Sequence, residues 1–173
     1  MPEKKRVIEV LGGPKTIAVQ SPAFGPGARI PKQHTADGEG VSPPLTWLNV
    51  PREAICLALL VEDPDASIPQ PYVHWVAYNI PAGSEGLPAA VVPGDRPGRP
   101  AGMRQGSSGG DVRGWVGCAP PAGTGPHHYH FELFALDALL ELHDGATRAD
   151  LAKAMRGHLL ATGELVGTYS RDD

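Results

Sequence analysis

Three stretches of this sequence carry side chains that can hold, share or move protons. Asp63-Pro64-Asp65 sets two carboxyl groups around a proline that fixes the backbone between them. Tyr72-Val73-His74-Trp75 offers an imidazole beside a phenol and an indole. Gly117-Cys118-Ala119-Pro120-Pro121-Ala122-Gly123-Thr124-Gly125-Pro126 runs directly into His127-His128-Tyr129-His130-Phe131. Small residues in such a loop let successive backbone amides approach a ligand closely, and amides arranged that way bind anions. A few imidazoles and such backbone amides could together make a local anion site. Each stretch also has a plainer reading: an Asp-Pro turn leaving a strand, a hydrogen-bonded core histidine, and a packing loop.

The elements that must position these groups are mostly strands. Arg6–Leu11 and Thr16–Gln20 are β-branched-rich pieces separated by a Gly-Gly-Pro turn. Ala54–Glu62 is almost wholly apolar and of strand length, which predicts burial on both faces. Val73–Ile80 alternates, with Trp75, Ala77 and Asn79 on one side and His74, Val76, Tyr78 and Ile80 on the other. His128–Leu136 is a third strong strand, and Leu165–Tyr169 reads as a short last one. Alternation puts His127, Tyr129, Phe131 and Leu133 on one face and His128, His130 and Glu132 on the other. Pro81–Gly125, dense in Gly and Pro, is too long for a structureless loop and predicts short edge strands and a functional role. One helix is expected after a Thr147/Asp150 capping box, carrying Leu151, Ala154, Met155, His158 and Leu159 on one face, with Gly163 as its stop. Strands without intervening helices pair antiparallel. The expected fold is a mainly β, antiparallel β-sandwich with one or a few peripheral helices, formed by residues 1–173 as one domain.

Composition narrows the function. Hydrophobic content is 41% and charged content 20%, with 22 Gly and 19 Pro between well-formed apolar runs. The net charge is −4 and no Lys/Arg block occurs, which argues against a nucleic-acid or acidic-membrane surface. An anion site must therefore be local. Cys56 and Cys118 lack CxxC spacing and read as free thiols. The apolar stretch after Lys4, Lys5 and Arg6 is shorter than the ~7–15 residues of a secretory core, and no run approaches the ~20 of a membrane span. A cytoplasmic location is the expectation.

The same residues carry a resemblance. Asp63-Pro64-Asp65, His74-Trp75, and Pro120-Pro121 followed by His127-x-Tyr129 resemble the signature segments of the phosphatidylethanolamine-binding (Raf-kinase-inhibitor-like) protein family. Upstream, Ser42-Pro43-Pro44-Leu45-Thr46-Trp47 is similar to that family's early block, and Val166-Gly167-Thr168-Tyr169 to the tail of some bacterial members. The resemblance implies a pocket at one end of the sandwich, with Asp63, His74, His127 and Tyr129 at its centre. Gly117, Ala119, Pro120 and Pro121 would form a wall and Tyr72 the rim. It implies a phosphate-like anion or phosphorylated head group as ligand, a kinase or protease as a protein target, and no cofactor; it leaves a homodimer open. Three positions depart from the pattern: Ser67 stands where the family has proline, Ala119 where many members have glycine, and Trp115 where tyrosine is usual.

An acid in an anion pocket must be neutralised. Asp63 either pairs with a histidine, favouring imidazolium, or is itself protonated and donates. With His74 and His127 as proton donors, anion binding should strengthen as pH falls through ~6.5. Two other chemistries compete. His128, His130 and Glu132 form an H-x-H-x-E run suited to a cupin-like metalloenzyme. Asp63 or Asp65 with His74 suits acid–base hydrolysis. No nucleophile elbow is present, although Cys118 would become reactive if neighbouring histidines lowered its pKa.

Overall fold

The most apolar stretch of the chain becomes the centre of the fold. The computed structural model describes residues 4–171, so the ends of the 1–173 span lie outside it. In chain order the elements are α1 (Val7–Leu11), β1 (Ala18–Gln20), β2 (Leu45–Leu48), β3 (Cys56–Asp63), β4 (Tyr72–Pro81), β5 (Gly86–Leu87), β6 (Arg104–Gln105), β7 (His127–Leu136), α2 (Arg148–Met155) and β8 (Leu159–Tyr169). They form two antiparallel sheets, a five-stranded one ordered β6-β4-β3-β7-β8 and a three-stranded one ordered β1-β2-β5. Every residue of β3 is buried. Leu57, Leu59 and Val61 point into the core between the sheets, against Val19, Leu45 and Trp47. Ala58 and Leu60 point the other way, into a second core with Ile8, Leu151 and Met155 of the two helices. The expected sandwich with peripheral helices is therefore present, and among the described residues no helix is long and apolar enough to cross a membrane.

Three boundaries differ from the sequence expectation, each for a tertiary reason. Val7–Leu11 is a five-residue helix, not a strand. Its first amides are captured by buried acids: Val7 N–H donates to Glu62 Oε2 at 2.9 Å and Ile8 N–H to Glu132 Oε1 at 2.8 Å. Two such bonds at a helix start outweigh β-branched propensity. Helix α2 begins at the expected capping box, with Asp150 N–H donating to Thr147 Oγ1 and Thr147 N–H to Asp150 Oδ2. It stops early, however, at Gly157, whose φ of +82° ends it, so His158 and Leu159 leave the helix. Strand β8 is consequently eleven residues long, not five, and Gly163 lies inside it. A Cβ at Gly163 would sit 2.3 Å from the Ile17 carbonyl oxygen, so glycine is needed for the close approach of the chain entering β1.

The long Pro81–Gly125 segment contains the short strands β5 and β6 and is organised by one buried amide. Gln105 accepts from the Trp75 indole at 2.8 Å and donates to the Val92 and Gly94 carbonyls at 2.9 Å each. Both cysteines are unpaired and buried.

Glu62 and Glu132 lie on adjacent strands on the helix-facing side, and both are wholly buried. Arg148 donates to Glu62 Oε1. Glu132 Oε2 has no hydrogen-bond partner, and the Glu132 carboxyl lies beside that of Glu62, a contact that is a hydrogen bond only when it holds a proton. Burial, then Glu62, push the Glu132 carboxyl well above its ordinary value of about 4.5, and the Ile8 amide offsets only part of this. Because the folded value is raised, the stabilisation is complete below the unfolded value and is lost as pH rises through the folded one. Glu132→Gln keeps a donor toward Glu62 without a titrating proton. In urea unfolding across a pH series it should match the parent near the acid end and exceed it by on the order of 2 kcal/mol in alkaline buffer. A difference that does not vary with pH would show that no proton is shared there.

Candidate functional site

Antiparallel pairing is what brings the three distant stretches together. β3 lies between β4 and β7, so the end of β3 meets the starts of both neighbours. Asp63 pairs with Tyr72 across one side, and Glu62 with His130 across the other. Around this corner is a cavity of about 270 Å³. Asp63, Tyr72, His74, His127 and Tyr129 line it from the strands; Gly117, Ala119, Pro120 and Pro121 line it from the loop; Ala66, Ser67 and Val116 complete it. Every pocket residue picked from the sequence faces this one space.

His74 reaches it by a route that alternation did not show. The β3–β4 register slips between Val61/Trp75 and Glu62/Val73, leaving His74 as the extra residue of a β-bulge. Val76 and Tyr78 therefore pack in the helix-side core, while Trp75 packs between the sheets. His74 does not share a face with Val76 and Tyr78. Its ring stands 5.0 Å from Tyr129, 4.9 Å from Tyr72 and 6.0 Å from Trp115, centroid to centroid.

The protons of the site follow from its partners. His74 Nδ1 lies 2.7 Å from the Val116 carbonyl, which can only accept, so Nδ1 carries the hydrogen. The Val116 amide in turn donates to the His74 carbonyl at 2.8 Å, locking strand and loop together. Burial is the main cause holding the His74 pKa below its ordinary value, against the opposing pull of the Val116 carbonyl and Asp63. The ring is therefore neutral at neutral pH, and Nε2 presents a lone pair. This corrects the expectation of His74 as a charged donor.

His127 is corrected too. Its Nδ1 is 2.7 Å from Asp63 Oδ2, and its Nε2 is 3.1 Å from Thr124 Oγ1. The Thr124 hydroxyl gives its own proton to the Pro121 carbonyl at 2.7 Å, so it accepts from Nε2–H. Both ring nitrogens are thus occupied within the protein. The 2.7 Å contact places a hydrogen between Nδ1 and Asp63, so this ring has no free nitrogen to offer a ligand. Asp63 Oδ1 meanwhile accepts from Asp65 N–H at 2.8 Å. Thr124 was missed in the sequence; its signal is a hydroxyl three residues before a histidine in a small-residue loop.

The other members are walls and supports. Burial raises the Tyr129 hydroxyl above its ordinary pKa, so it stays protonated. Burial likewise pushes the Cys118 thiol up, so it is not the reactive thiolate considered above. Gly117 is glycine because a Cβ would lie 2.8 Å from the Ala36 amide nitrogen. Gly117 and Ala119 line the cavity, and their own amides have no acceptor among the described residues. Trp115 stacks on Phe131 at 5.8 Å and donates to the His34 carbonyl at 3.0 Å, making a floor beneath His74. No cis peptide occurs around Ser67.

The competing clusters are dispersed. Asp65 turns away from the cavity to accept from the His128 amide at 2.7 Å and its ring at 2.8 Å. Burial opposes the charge of Asp65, but His128 outweighs it and lowers the pKa. His130 pairs with Glu164 at 3.3 Å, and Glu132 with the Ile8 amide. His128, His130 and Glu132 thus face separate partners, and among the described residues no three His, Cys, Asp or Glu groups are placed to hold a metal ion.

A sandwich with a histidine-lined cavity at one sheet end is the architecture of a ligand-binding protein. The family model described as phosphatidylethanolamine-binding protein matches residues 20–170, and the chain belongs to that family. A protein of Methanothermobacter thermautotrophicus is 44% identical over 149 residues, 86% of this chain and 95% of its own. A phosphatidylethanolamine-binding protein homologue of Chlamydia trachomatis superposes with a TM-score of 0.79 at 36% identity, over 91% of this chain and 99% of that one. Escherichia coli YbcL, a member of the mammalian PEBP family, gives a TM-score of 0.82 at 31% identity, over 90% and 98%.

Two similar-looking pairs should differ sharply in strength. Asp63–His127 is almost wholly buried, whereas Asp65–His128 is about half exposed. Asp63→Ala is expected to cost about 3 kcal/mol in chemical denaturation, because it strands a buried imidazole and an amide. Asp65→Ala should cost about 1 kcal/mol or less. Equal costs would contradict this division.

Proposed function

We propose that the protein binds a small phosphate-like oxyanion or phosphorylated head group in this cavity, and takes it in a singly protonated form. The observation that carries the reading is the proton arrangement. His127 has both ring nitrogens taken by Asp63 and Thr124, whereas His74 Nε2 offers an acceptor. An oxyanion bearing one proton donates it to His74 and receives the amides of Gly117 and Ala119 on its other oxygens. Below the pKa of His74 the same proton sits on the ring, so the complex contains one shared proton from either starting point. The cavity volume suits a phosphoryl group with a short substituent and not a long chain. The binding role, as against a catalytic one, rests on the lack of an activated nucleophile: Cys118 is buried and protonated, and Asp63 is committed to His127.

Calorimetric titration with O-phosphoserine at pH 6 and pH 8 tests this. With a second phosphate pKa near 6, the monoanion falls roughly fifty-fold over that interval, and affinity should fall by about tenfold or more. His74→Ala should abolish saturable binding. Affinity that rises with pH, or that is unchanged in His74→Ala, would overturn the reading.

A further inference from the structure

We propose that a second, cationic cavity on the helix side of the large sheet is a binding site for a small polyphosphate-type anion, independent of the cavity described above. The space is about 350 Å³ and lies between the residues leading into α1, the loop after β3 and one face of α2. Lys4, Lys5, Arg148 and Arg156 line it, and no acidic side chain does.

Three observations make this more than a scatter of surface charge. The cations come from positions far apart in a chain whose net charge is −4, so their gathering is a product of the fold. The segment is held in place: Arg148 Nη2 donates to the Lys5 carbonyl at 2.8 Å, Arg148 Nε to the buried Glu62, and Lys4 Nζ to the Ala66 carbonyl. Arg148 and Ala152 stand four apart on α2 and Arg156 caps its C-terminal end, so all three border the same cleft. Val7, Val10 and Pro69 supply apolar walls, and low-dielectric walls around like charges focus the field inside a cleft. Glu62 answers Arg148 from behind, and Glu9 is taken by Arg6. The Lys5 and Arg156 side chains have no partner among the described residues, so two uncommitted positive charges border the cleft. A compact multivalent anion fits that charge and size better than a monoanion, because it can meet the separated cations at once.

The test is pyrophosphate titration of the full chain followed by amide NMR. Shifts should appear at Lys5, Val10, Ala152 and Arg156, saturate, and weaken as salt is raised. Lys5→Ala/Arg156→Ala should lose at least about tenfold in affinity. Lys5→Arg/Arg156→Lys, which keeps the charge, should retain it. Both positions are exposed, and unchanged thermal unfolding will confirm that the variants are folded. His74→Ala should leave these shifts in place, which separates this site from the first cavity. Perturbation confined to the His74 cavity, or equal affinity in the alanine pair, would overturn the proposal.

Discussion

Strand β3 has no free face, and the rest of the molecule is arranged around that constraint. Flanked by β4 and β7 and covered on both sides, it ends in two adjacent acids, Glu62 and Asp63, which alternation sends in opposite directions. A buried carboxylate is tolerated only when its charge is answered. On the helix side Glu62 is answered by the Val7 amide and Arg148, which ties down the start of α1 and the start of α2. On the other side Asp63 is answered by His127 and the Asp65 amide, which ties the start of β7 to the turn after β3. One strand end thus anchors two separate faces.

The histidines divide along the same line. His127 and His128 are neighbours pointing to opposite sides, and Asp63 and Asp65 hold one each. The inner pair fixes the cavity wall, and the outer pair closes the strand start against solvent. His74 is different, because its position depends on a bulge and its ring hydrogen is spent on a loop carbonyl. Its second nitrogen is the polar ring atom in the cavity left without a protein partner. A bulge costs ladder hydrogen bonding, and here it re-aims an imidazole from the helix-side core into the cavity.

Much of this was legible in the sequence. The double-sided burial of β3 followed from an apolar run of strand length, the face of β7 followed from simple alternation, and the Thr147/Asp150 box marked the start of α2. The cavity residues were recognisable because their types and order resemble a family pattern. What was not legible has a common cause, in that it depended on contacts between distant segments. Arg6–Leu11 has strand composition, but Glu62 and Glu132 capture its amides and make it helical. Gly163 reads as a helix stop in one dimension and is a crossing point for the chain near Ile17 in three. The bulge at His74 carries no local signature such as glycine. The protonation roles of His74 and His127 could not be assigned either, because a tautomer is set by the partner of the other ring nitrogen, and Val116 and Thr124 lie far from, or unremarked beside, the rings they fix.

The absence of any Lys/Arg block led to a negative expectation about nucleic-acid and acidic-membrane partners. Net charge and charge runs are one-dimensional quantities, whereas the potential at a surface point is set by charges within about a Debye length, roughly 10 Å at moderate salt. A chain carrying −4 overall can therefore present a local cationic field wherever its fold places basic residues together and keeps acids away or buried behind them. Here Glu62, the acid that answers Arg148, is wholly buried and also accepts from the Val7 amide. The interaction that fixes α1 and α2 to the sheet is thus also the one that hides the compensating negative charge. Because Lys4 reaches it through the Ala66 carbonyl, the turn after β3 forms a wall of both cavities. The segment that follows Asp-Pro-Asp thus serves both spaces, with Ala66 and Ser67 lining one and Pro69 and Gln70 the other.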